Sequence, residues 1–343
     1  MRVAARIAAA WLAVLALLAA PSSALALTFF GFNDDWAPQT VKRSVALSRK
    51  FRANSERMIV YWGSVEPRKN RFDWYGLDVG YQTMLQQHVR PLFDVVSAPK
   101  WAVARGCRPL YKCQQTASHD HDYRVFLAAL TKRYPHAAGI EVGQEPNLTN
   151  WSVHPDPRRY SQILRSAWTA VKNANRHMTV VLGSTCCTYA FSHGNIGAGV
   201  FLAQLYRYGI KGHYNAIGFH VYPGGPISRV ASDILSEVSI MRAIRNANHD
   251  GSPFWITETG FPSQGFGRYG AGRNTESTQA QRELTAYRTL IHMRDVVAVY
   301  FYRLIDPRHP IAFANFQLGM GFYKANYHPK QAARALIHAR TGH

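Results

Sequence analysis

The sequence is short of acidic residues, and this shortage narrows the classes of partner it can have. Aspartate and glutamate together number 20, against 40 lysines and arginines, which gives a net charge of +20 at neutral pH. The excess is consistent with a solvated basic surface and equally with an anionic polysaccharide as partner. Because the cations are scattered and accompany no recognition motif, nucleic-acid binding is not expected.

Motifs for phosphate and metal binding are missing as well. The absence of a Gly-rich phosphate loop disfavours a nucleotide-binding enzyme. None of the four cysteines belongs to a Cys-x-x-Cys pair with matching histidines, so we expect no metal site and no cofactor. Cys107 and Cys113 bracket a short loop and are predicted to form a disulfide. The adjacent Cys186 and Cys187 are consistent with a vicinal disulfide, with free thiols, or with bridges to the first pair.

Long apolar runs are confined to the N-terminus. Residues 1–26 begin with a basic segment that holds Arg2 and Arg6. An apolar run over residues 7–20 follows, and the segment ends in Ala-Leu-Ala. This order is typical of a secretory signal peptide, and the run is short for a bilayer span of about 20 residues. We therefore predict that residues 1–26 are removed. The mature chain should be secreted, to the extracellular space or the cell envelope, with no stable membrane span.

The remaining chain, residues 27–343, has the length of one α/β barrel. Eight short and nearly continuous apolar runs predict parallel strands that are covered by helices. These strands are Leu27–Phe32, Arg57–Trp62, Val89–Ser97, Gly139–Gly143, Thr179–Gly183, Ala216–Tyr222, Phe254–Glu258 and Val297–Leu304.

Amphipathic stretches separate the predicted strands. The clearest begins at Asp156-Pro157, an N-cap acid followed by a proline at the first helical position, and then carries apolar residues on one helical face. The others are Val41–Phe51, Tyr81–Gln87, Tyr123–Tyr134, Val200–Tyr208, Ile234–Ile244, Ala280–Met293 and Gln331–Ala339. Eight alternations of strand and helix predict a single (β/α)8 TIM barrel.

Two glutamates lie at the ends of the fourth and seventh predicted strands. Glu145 stands in VGQEPN and Glu258 in FWITETG. In a closed barrel these strand ends face each other across the mouth. Retaining glycoside hydrolysis uses such a pair: one carboxylic acid protonates the leaving oxygen, and a carboxylate about 5–5.5 Å away attacks the anomeric carbon. A lone glutamate at a strand end is more often a polar residue in a turn, but the pair favours catalysis.

These motifs resemble those of the clan A retaining glycoside hydrolases. VGQEPN is similar to the acid/base segment, which usually reads Asn-Glu-Pro, and FWITETGFPS resembles the nucleophile segment, W-x-T-E-x-G. Weaker matches occur in MIVYWGSVEP, SAPKW, FHVYP and LGMGFYKANYHPKQAARAL, so the resemblance runs from about Phe30 to the C-terminus. It is nearest to the family 39 group of xylosidase- and iduronidase-like enzymes and exopolysaccharide endoglycosidases.

The resemblance implies a role for each matching residue. Glu145 is the expected acid/base, Glu258 the expected nucleophile, and Tyr222 the expected donor to that nucleophile. His220 lies two residues earlier on the same face of its strand, where it either contacts the substrate or is an ordinary core histidine. Gln144 replaces the usual asparagine that contacts the sugar 2-hydroxyl. The sugar is therefore placed differently, its 2-position is unusual, or activity is weakened.

Four further residues near the predicted strand ends are candidates to bind sugar: Trp62, Trp101, Asn147 and Tyr302. Flat rings at a barrel mouth can stack on sugars, although core packing is the alternative for each ring. Together these features predict a secreted retaining glycoside hydrolase that cleaves O-glycosidic bonds of an extracellular or envelope polysaccharide by double displacement. The alternatives are a carbohydrate-binding barrel with weakened catalysis and a transglycosylase.

Overall fold

The computed structural model describes residues 27–34, 37–188, 192–265, 272–308 and 319–342, and the predicted signal peptide lies outside them. Eight parallel strands pair in chain order and close into one barrel. They are β1 Phe29–Asn33, β2 Ser55–Tyr61, β3 Arg90–Val96, β4 Gly139–Val142, β5 Val180–Cys186, β6 Ala216–His220, β7 Phe254–Thr259 and β8 Val296–Tyr302. The predicted (β/α)8 barrel is confirmed.

Helices follow the strands on the outside of the barrel. Within the described ranges they are α1 Val41–Arg49, α2 Trp62–Val65, α3 Tyr75–Gln86, α4 Asp120–Arg133, α5 Pro157–Ala174, α6 Ala198–Arg207, α7 Val230–Ala247, α8 Glu276–Ile291 and α9 Gln331–Thr341. Helix α5 begins as its sequence predicts, because the Asp156 side chain accepts hydrogen bonds from the backbone N–H groups of Arg158 and Arg159. No helix in these ranges is long and apolar enough to cross a bilayer.

An aromatic cluster supports the seam between the first and last strands. The ring of Phe32 in β1 lies 4.7 Å from that of Phe51, 6.3 Å from that of Phe301 and 5.3 Å from that of Phe322, between centroids. All four side chains are buried. Each buried phenylalanine contributes about 1.5–3 kcal/mol of transfer free energy, so the cluster stabilises closure and fixes the strand ends at the mouth.

Strand β5 is longer than its apolar pattern predicts. The expected strand ends at Gly183, but pairing with β6 continues through Thr185 and Cys186 after a register shift. The polar residues at this end are buried against the neighbouring strands, which hydropathy alone does not reveal. The extension places Cys186 beside His220, its direct partner in β6.

Candidate active site

Glu258 lies near the end of β7 among several hydrogen-bond donors. Its Oε1 accepts from Arg57 Nη1 at 2.8 Å and from Gln144 Nε2 at 3.0 Å, and its Oε2 accepts from the Tyr222 hydroxyl at 2.7 Å. The Nδ1 atom of His220 lies 3.6 Å from the same Oε2. The Tyr222 contact is the one that the resemblance implies for a nucleophile.

These neighbours determine the charge on Glu258. Burial raises the pKa of the carboxyl, but the charges of His220 and Arg57 and the hydrogen bonds from Gln144 and Tyr222 outweigh that effect. The pKa of Glu258 is consequently lower than its ordinary value. Glu258 is therefore a carboxylate at neutral pH, which is the form that a nucleophile needs.

Arg57 is a buried cation beneath Glu258. Its guanidinium also donates to Glu141 Oε2 at 2.6 Å, to Asp94 Oδ2 at 2.9 Å and to Asn33 Oδ1 at 2.9 Å. A buried arginine is tolerated only where such partners offset the loss of hydration. The cluster joins β1, β2, β3, β4 and β7, so it fixes the nucleophile relative to half of the barrel.

The pKa of Asp94, another member of this cluster, is shifted in the opposite direction from that of Glu258. Burial raises the pKa of Asp94 well above its usual value, more than the charge of Arg57 lowers it, and the nearby carboxylates add to the increase. Its other oxygen, Oδ1, is buried and accepts no hydrogen bond from the described residues. Asp94 thus accepts from Arg57 through one of its two oxygens.

Sequence analysis did not identify the Arg57 cluster as part of the site. Its signal was present in the strand patterns, where charged residues stand inside predicted strands: Arg57 in SERMIVY, beside Glu56, Asp94 in RPLFDVV and Glu141 in GIEV. A charge in a strand that helices cover must be paired or neutralised. Three such residues in neighbouring strands indicate a buried ionic cluster.

Glu145 lies beyond the end of β4 in a different backbone setting. Its φ of 38° is in the left-handed region, which a residue with a Cβ rarely adopts and which costs on the order of 1–3 kcal/mol. Its backbone N–H donates to the Ser184 carbonyl at 3.0 Å, which ties the turn to β5. The Oε1 atom lies 2.9 Å from His220 Nδ1. The strained turn thus directs the carboxyl group toward His220 and the mouth.

Asn147 was predicted to bind sugar, and the structure shows that this is wrong. The side chain is fully buried, and its Nδ2 donates to the carbonyls of Cys186 at 2.8 Å and Ile196 at 2.7 Å. Its Oδ1 accepts from the Cys186 N–H at 3.1 Å. Both polar ends of the amide are therefore used to join the Glu145 loop to the end of β5.

Trp62 was also predicted to bind sugar, and its burial contradicts this. It is 1% exposed, its ring stacks on Phe126 with centroids 5.5 Å apart, and its Nε1 donates to Glu66 Oε2 at 2.7 Å. The short helix α2, which the strand pattern did not anticipate, turns this residue into the core behind β2.

Trp101 and Tyr302 are partly exposed, so sugar binding by these residues stays a prediction. Trp101 is anchored through Nε1, which donates to the Glu66 carbonyl at 3.1 Å. Tyr302 ends β8 near Tyr222, whose pKa is raised well above its usual value by burial first, then by Glu258 and by Tyr302. Both residues lie at the rim of the mouth.

A cavity opens beside the Glu145 loop, between the loops that follow β3 and β4. Its walls include Ser97, Tyr111, Lys112, Gln144 and Trp151. The rings of Tyr111 and Trp151 meet nearly at right angles with centroids 6.1 Å apart. Sequence analysis did not single out these two aromatics, because the loop that carries Tyr111 has no motif.

The cysteines form two close pairs. Cys107 and Cys113 are in contact as predicted, with Cα atoms 6.2 Å apart, a separation that suits a disulfide. This pair closes the loop that carries Tyr111. Cys186 and Cys187 contact each other rather than the first pair. Ligand atoms of Glu145, Cys186 and His220 lie within 4.8 Å of one another, close enough to hold a metal ion if the sulfur were a thiolate.

No protein-family model matches the sequence, and no curated protein matches it. Solved structures match the fold. A family 39 glycoside hydrolase from the gut symbiont Bacteroides cellulosilyticus WH2 has a TM-score of 0.69 at 18% identity, over 90% of this chain and 62% of that one. The GH5_18 protein from Streptomyces cattleya in complex with GlcNAc has a TM-score of 0.70 at 16% identity, over 92% and 80%.

A monomeric β-xylosidase from Caulobacter crescentus CB15 has a TM-score of 0.65 at 16% identity, over 91% of this chain and 67% of that one. The chain spans about three-fifths of the length of the family 39 protein from Bacteroides. At these identities the similarity shows a shared fold, the barrel of the family 39 and family 5 glycoside hydrolases.

Proposed function

We propose that the protein is a retaining glycoside hydrolase that acts on an extracellular or cell-envelope polysaccharide. The observation that carries the proposal is the position of His220 between the two glutamates. Its Nδ1 lies 2.9 Å from Glu145 Oε1 and 3.6 Å from Glu258 Oε2. The two oxygens are therefore no farther apart than the sum of these distances, about 6.5 Å. Retaining enzymes use a separation of about 5–5.5 Å, and inverting enzymes about 6.5–9.5 Å.

The surroundings of each glutamate support a division of roles. Glu258, held as an anion by Arg57 and Tyr222, attacks the anomeric carbon, and the glycosidic C–O bond breaks. Glu145 gives its proton to the leaving oxygen, which leaves a glycosyl ester on Glu258. Glu145 then takes a proton from water as that water attacks the anomeric carbon, and both carboxyl groups return to their starting states.

The fold adds support at a coarser level. The similar structures include glycoside hydrolases, and their barrel is the one described above. Both proposed catalytic groups lie at the carboxyl ends of strands, where barrel enzymes carry their active sites. Secretion rests on the sequence of residues 1–26.

The substrate class that we propose is an anionic polysaccharide, such as one containing uronate. The support is the charge of the mature chain, +18 once Arg2 and Arg6 are removed from the +20 of the whole sequence, since a basic surface raises the local concentration of an acidic polymer. Rates on acidic glycans should fall as salt is raised from about 0.01 to 0.15 M, because the Debye length shortens from about 30 to 8 Å. Equal rates on matched neutral and acidic glycans at low salt would remove this part of the proposal.

The experiment that tests the activity is a screen of aryl glycosides and polysaccharides with the mature chain, beside Glu258→Gln. Glu276→Gln is a matched control, because that glutamate pairs with Lys324 at the start of α8 instead. We expect sugar release by wild type and the control and none by Glu258→Gln. Binding without release, unchanged in Glu258→Gln, would instead identify a carbohydrate-binding barrel. Transfer of sugar to an added acceptor would identify a transglycosylase.

A further inference from the structure

The sulfur pair at the end of β5 has no role in the proposed hydrolysis. Cys186 is 3% exposed and is the direct strand partner of His220. Its Sγ, a carboxylate oxygen of Glu145 and a ring nitrogen of His220 all lie within 4.8 Å of one another. Thiolate, imidazole and carboxylate are each ligands of zinc, and a site with three protein ligands leaves one position open.

His220 is the second member of this set, and its side chain is completely buried. Its Nδ1 lies 2.9 Å from Glu145 Oε1, so Nδ1 is the ring atom that a metal shared with Glu145 would bind. The other ring nitrogen, Nε2, has no hydrogen-bond partner among the described residues.

The backbone of Cys186 is held independently of its sulfur. Its N–H donates to Asn147 Oδ1 at 3.1 Å, and its carbonyl accepts from Asn147 Nδ2 at 2.8 Å. Loss of the bond to Cys187 would therefore leave the Cα of Cys186 in place beside His220. The sulfur then needs only a side-chain rotation to approach the other two ligands.

We propose that Cys186, His220 and Glu145 form a redox-gated zinc site. In the disulfide, the Cys186 sulfur is bonded to Cys187 and carries no ligand charge. A dithiol reductant supplies two electrons and two protons and becomes a disulfide itself. The Cys186–Cys187 bond breaks, and both cysteines become thiols. Zinc binding then displaces the proton from Cys186. At zinc–ligand distances of about 2.0–2.3 Å, tetrahedral ligand atoms lie about 3.5 Å apart. Zinc binding therefore widens the 2.9 Å contact between His220 Nδ1 and Glu145 Oε1.

The site has a consequence for catalysis that rests on the proposed function. A carboxylate bound to zinc cannot give a proton to a leaving oxygen, so zinc stops hydrolysis in the reduced protein and not in the oxidised protein. Sequence spacing cannot reveal this ligand set, because its members come from the ends of three different strands and are brought together by the barrel.

The test uses Cys187→Ser, which frees the Cys186 thiol without any reductant, and Co²⁺ as a spectroscopic probe for zinc. We expect one Co²⁺ per chain and a thiolate-to-cobalt charge-transfer band in the near ultraviolet. Oxidised wild type and Cys186→Ser should show no such band and should bind zinc about 100-fold more weakly. Cys113→Ser is the matched control, since it frees Cys107, a thiol outside the three-residue cluster.

If Cys187→Ser fails to fold, a second measurement uses wild type. The protein is reduced with a dithiol, and the dithiol is removed before Co²⁺ is added. We expect the same band to appear, and His220→Asn to abolish it. Absence of the band in both reduced wild type and folded Cys187→Ser would overturn the proposal, as would an equal band in the Cys113→Ser control. The cobalt spectrum needs no substrate. An active enzyme without the band therefore refutes the zinc site alone, and an inactive protein with the band refutes the proposed function alone.

Discussion

Glu258 and Glu145 are buried to nearly the same extent, at 6% and 8% exposure, yet they have different neighbours. Glu258 accepts hydrogen bonds from Arg57, Gln144 and Tyr222. In the described part of the chain, the Glu145 carboxylate has one hydrogen-bond partner, His220. Burial alone penalises the charge on both. At Glu258 the charges of His220 and Arg57 and the donors Gln144 and Tyr222 outweigh that penalty, whereas His220 alone contacts the Glu145 carboxylate in the described part of the chain.

The two glutamates also differ in their backbone positions. Glu258 belongs to β7, whose neighbours on both sides hold it in the barrel wall. Glu145 lies on a turn with a positive φ, tied to β5 through Ser184 and Asn147. A nucleophile needs a fixed position and charge, and an acid/base group must gain and lose a proton in each cycle. The contrast between the two settings thus supports the assignment of roles.

After the complete loss of activity expected for Glu258→Gln, the largest expected effect comes from Glu145→Ala. General acid–base catalysis contributes typically 10²–10⁴-fold, so turnover of an aryl glycoside with a poor leaving group should fall by about 10³-fold. A substrate with a good leaving group does not need the proton and should lose much less. The measurement is kcat/KM for both substrates. If the variant is equally slow on both, Glu145 is not the acid.

Arg57→Met should lower the free energy of unfolding by about 3–5 kcal/mol, because it leaves Asp94, Glu141 and Glu258 buried without their cation. Urea unfolding of the chain measures this change. Arg340→Met is a matched control, since Arg340 is partly buried but donates to the Phe51 carbonyl and the Tyr287 hydroxyl. An equal loss in both variants would mean that Arg57 acts by packing rather than by charge.

Tyr222→Phe removes one donor from Glu258 and should reduce kcat by about 10–100-fold. In the wild type the hydrogen bond from Tyr222 lowers the pKa of Glu258. Its loss in the variant should therefore raise that pKa. Glu258 must be ionised to attack, so the acidic limb of the pH profile of kcat/KM should move to higher pH. A fall in rate with an unmoved acidic limb would show that Tyr222 contacts the sugar instead.

Ionised Glu258 also contributes to the stability of the fold, in a defined pH range. The pKa of Glu258 in the folded protein lies below its unfolded value of about 4.3. Ionised Glu258 therefore stabilises the fold above that pH, and the contribution is lost as pH falls through the folded pKa. Tyr222→Phe raises the folded pKa toward the unfolded one, so it should make the free energy of unfolding less dependent on pH below about 5.

The sequence predicts the barrel and its two glutamates because both have local signals. Eight apolar runs mark the strands, and Glu145 and Glu258 stand in motifs at strand ends. Burial of individual side chains has no such signal. Trp62 and Asn147 lie at the correct strand ends, but one turns into the core and the other bonds to backbone. Partners of a side chain depend on which strands become neighbours, which only barrel closure determines.

Gln144→Asn should have the smallest effect and tests the residue that contacts both Glu258 and Arg57. The Gln144 amide donates to Glu258 at 3.0 Å and accepts from Arg57. A side chain shorter by one methylene group cannot span both partners. It should lose one hydrogen bond, worth about 1 kcal/mol, and thus about 5-fold in kcat/KM. Kinetics on glycosides with and without a 2-hydroxyl measure the change. A rate that rises only for the 2-hydroxyl substrate would contradict this expectation, because it would mean that asparagine restores a sugar contact that Gln144 lacks.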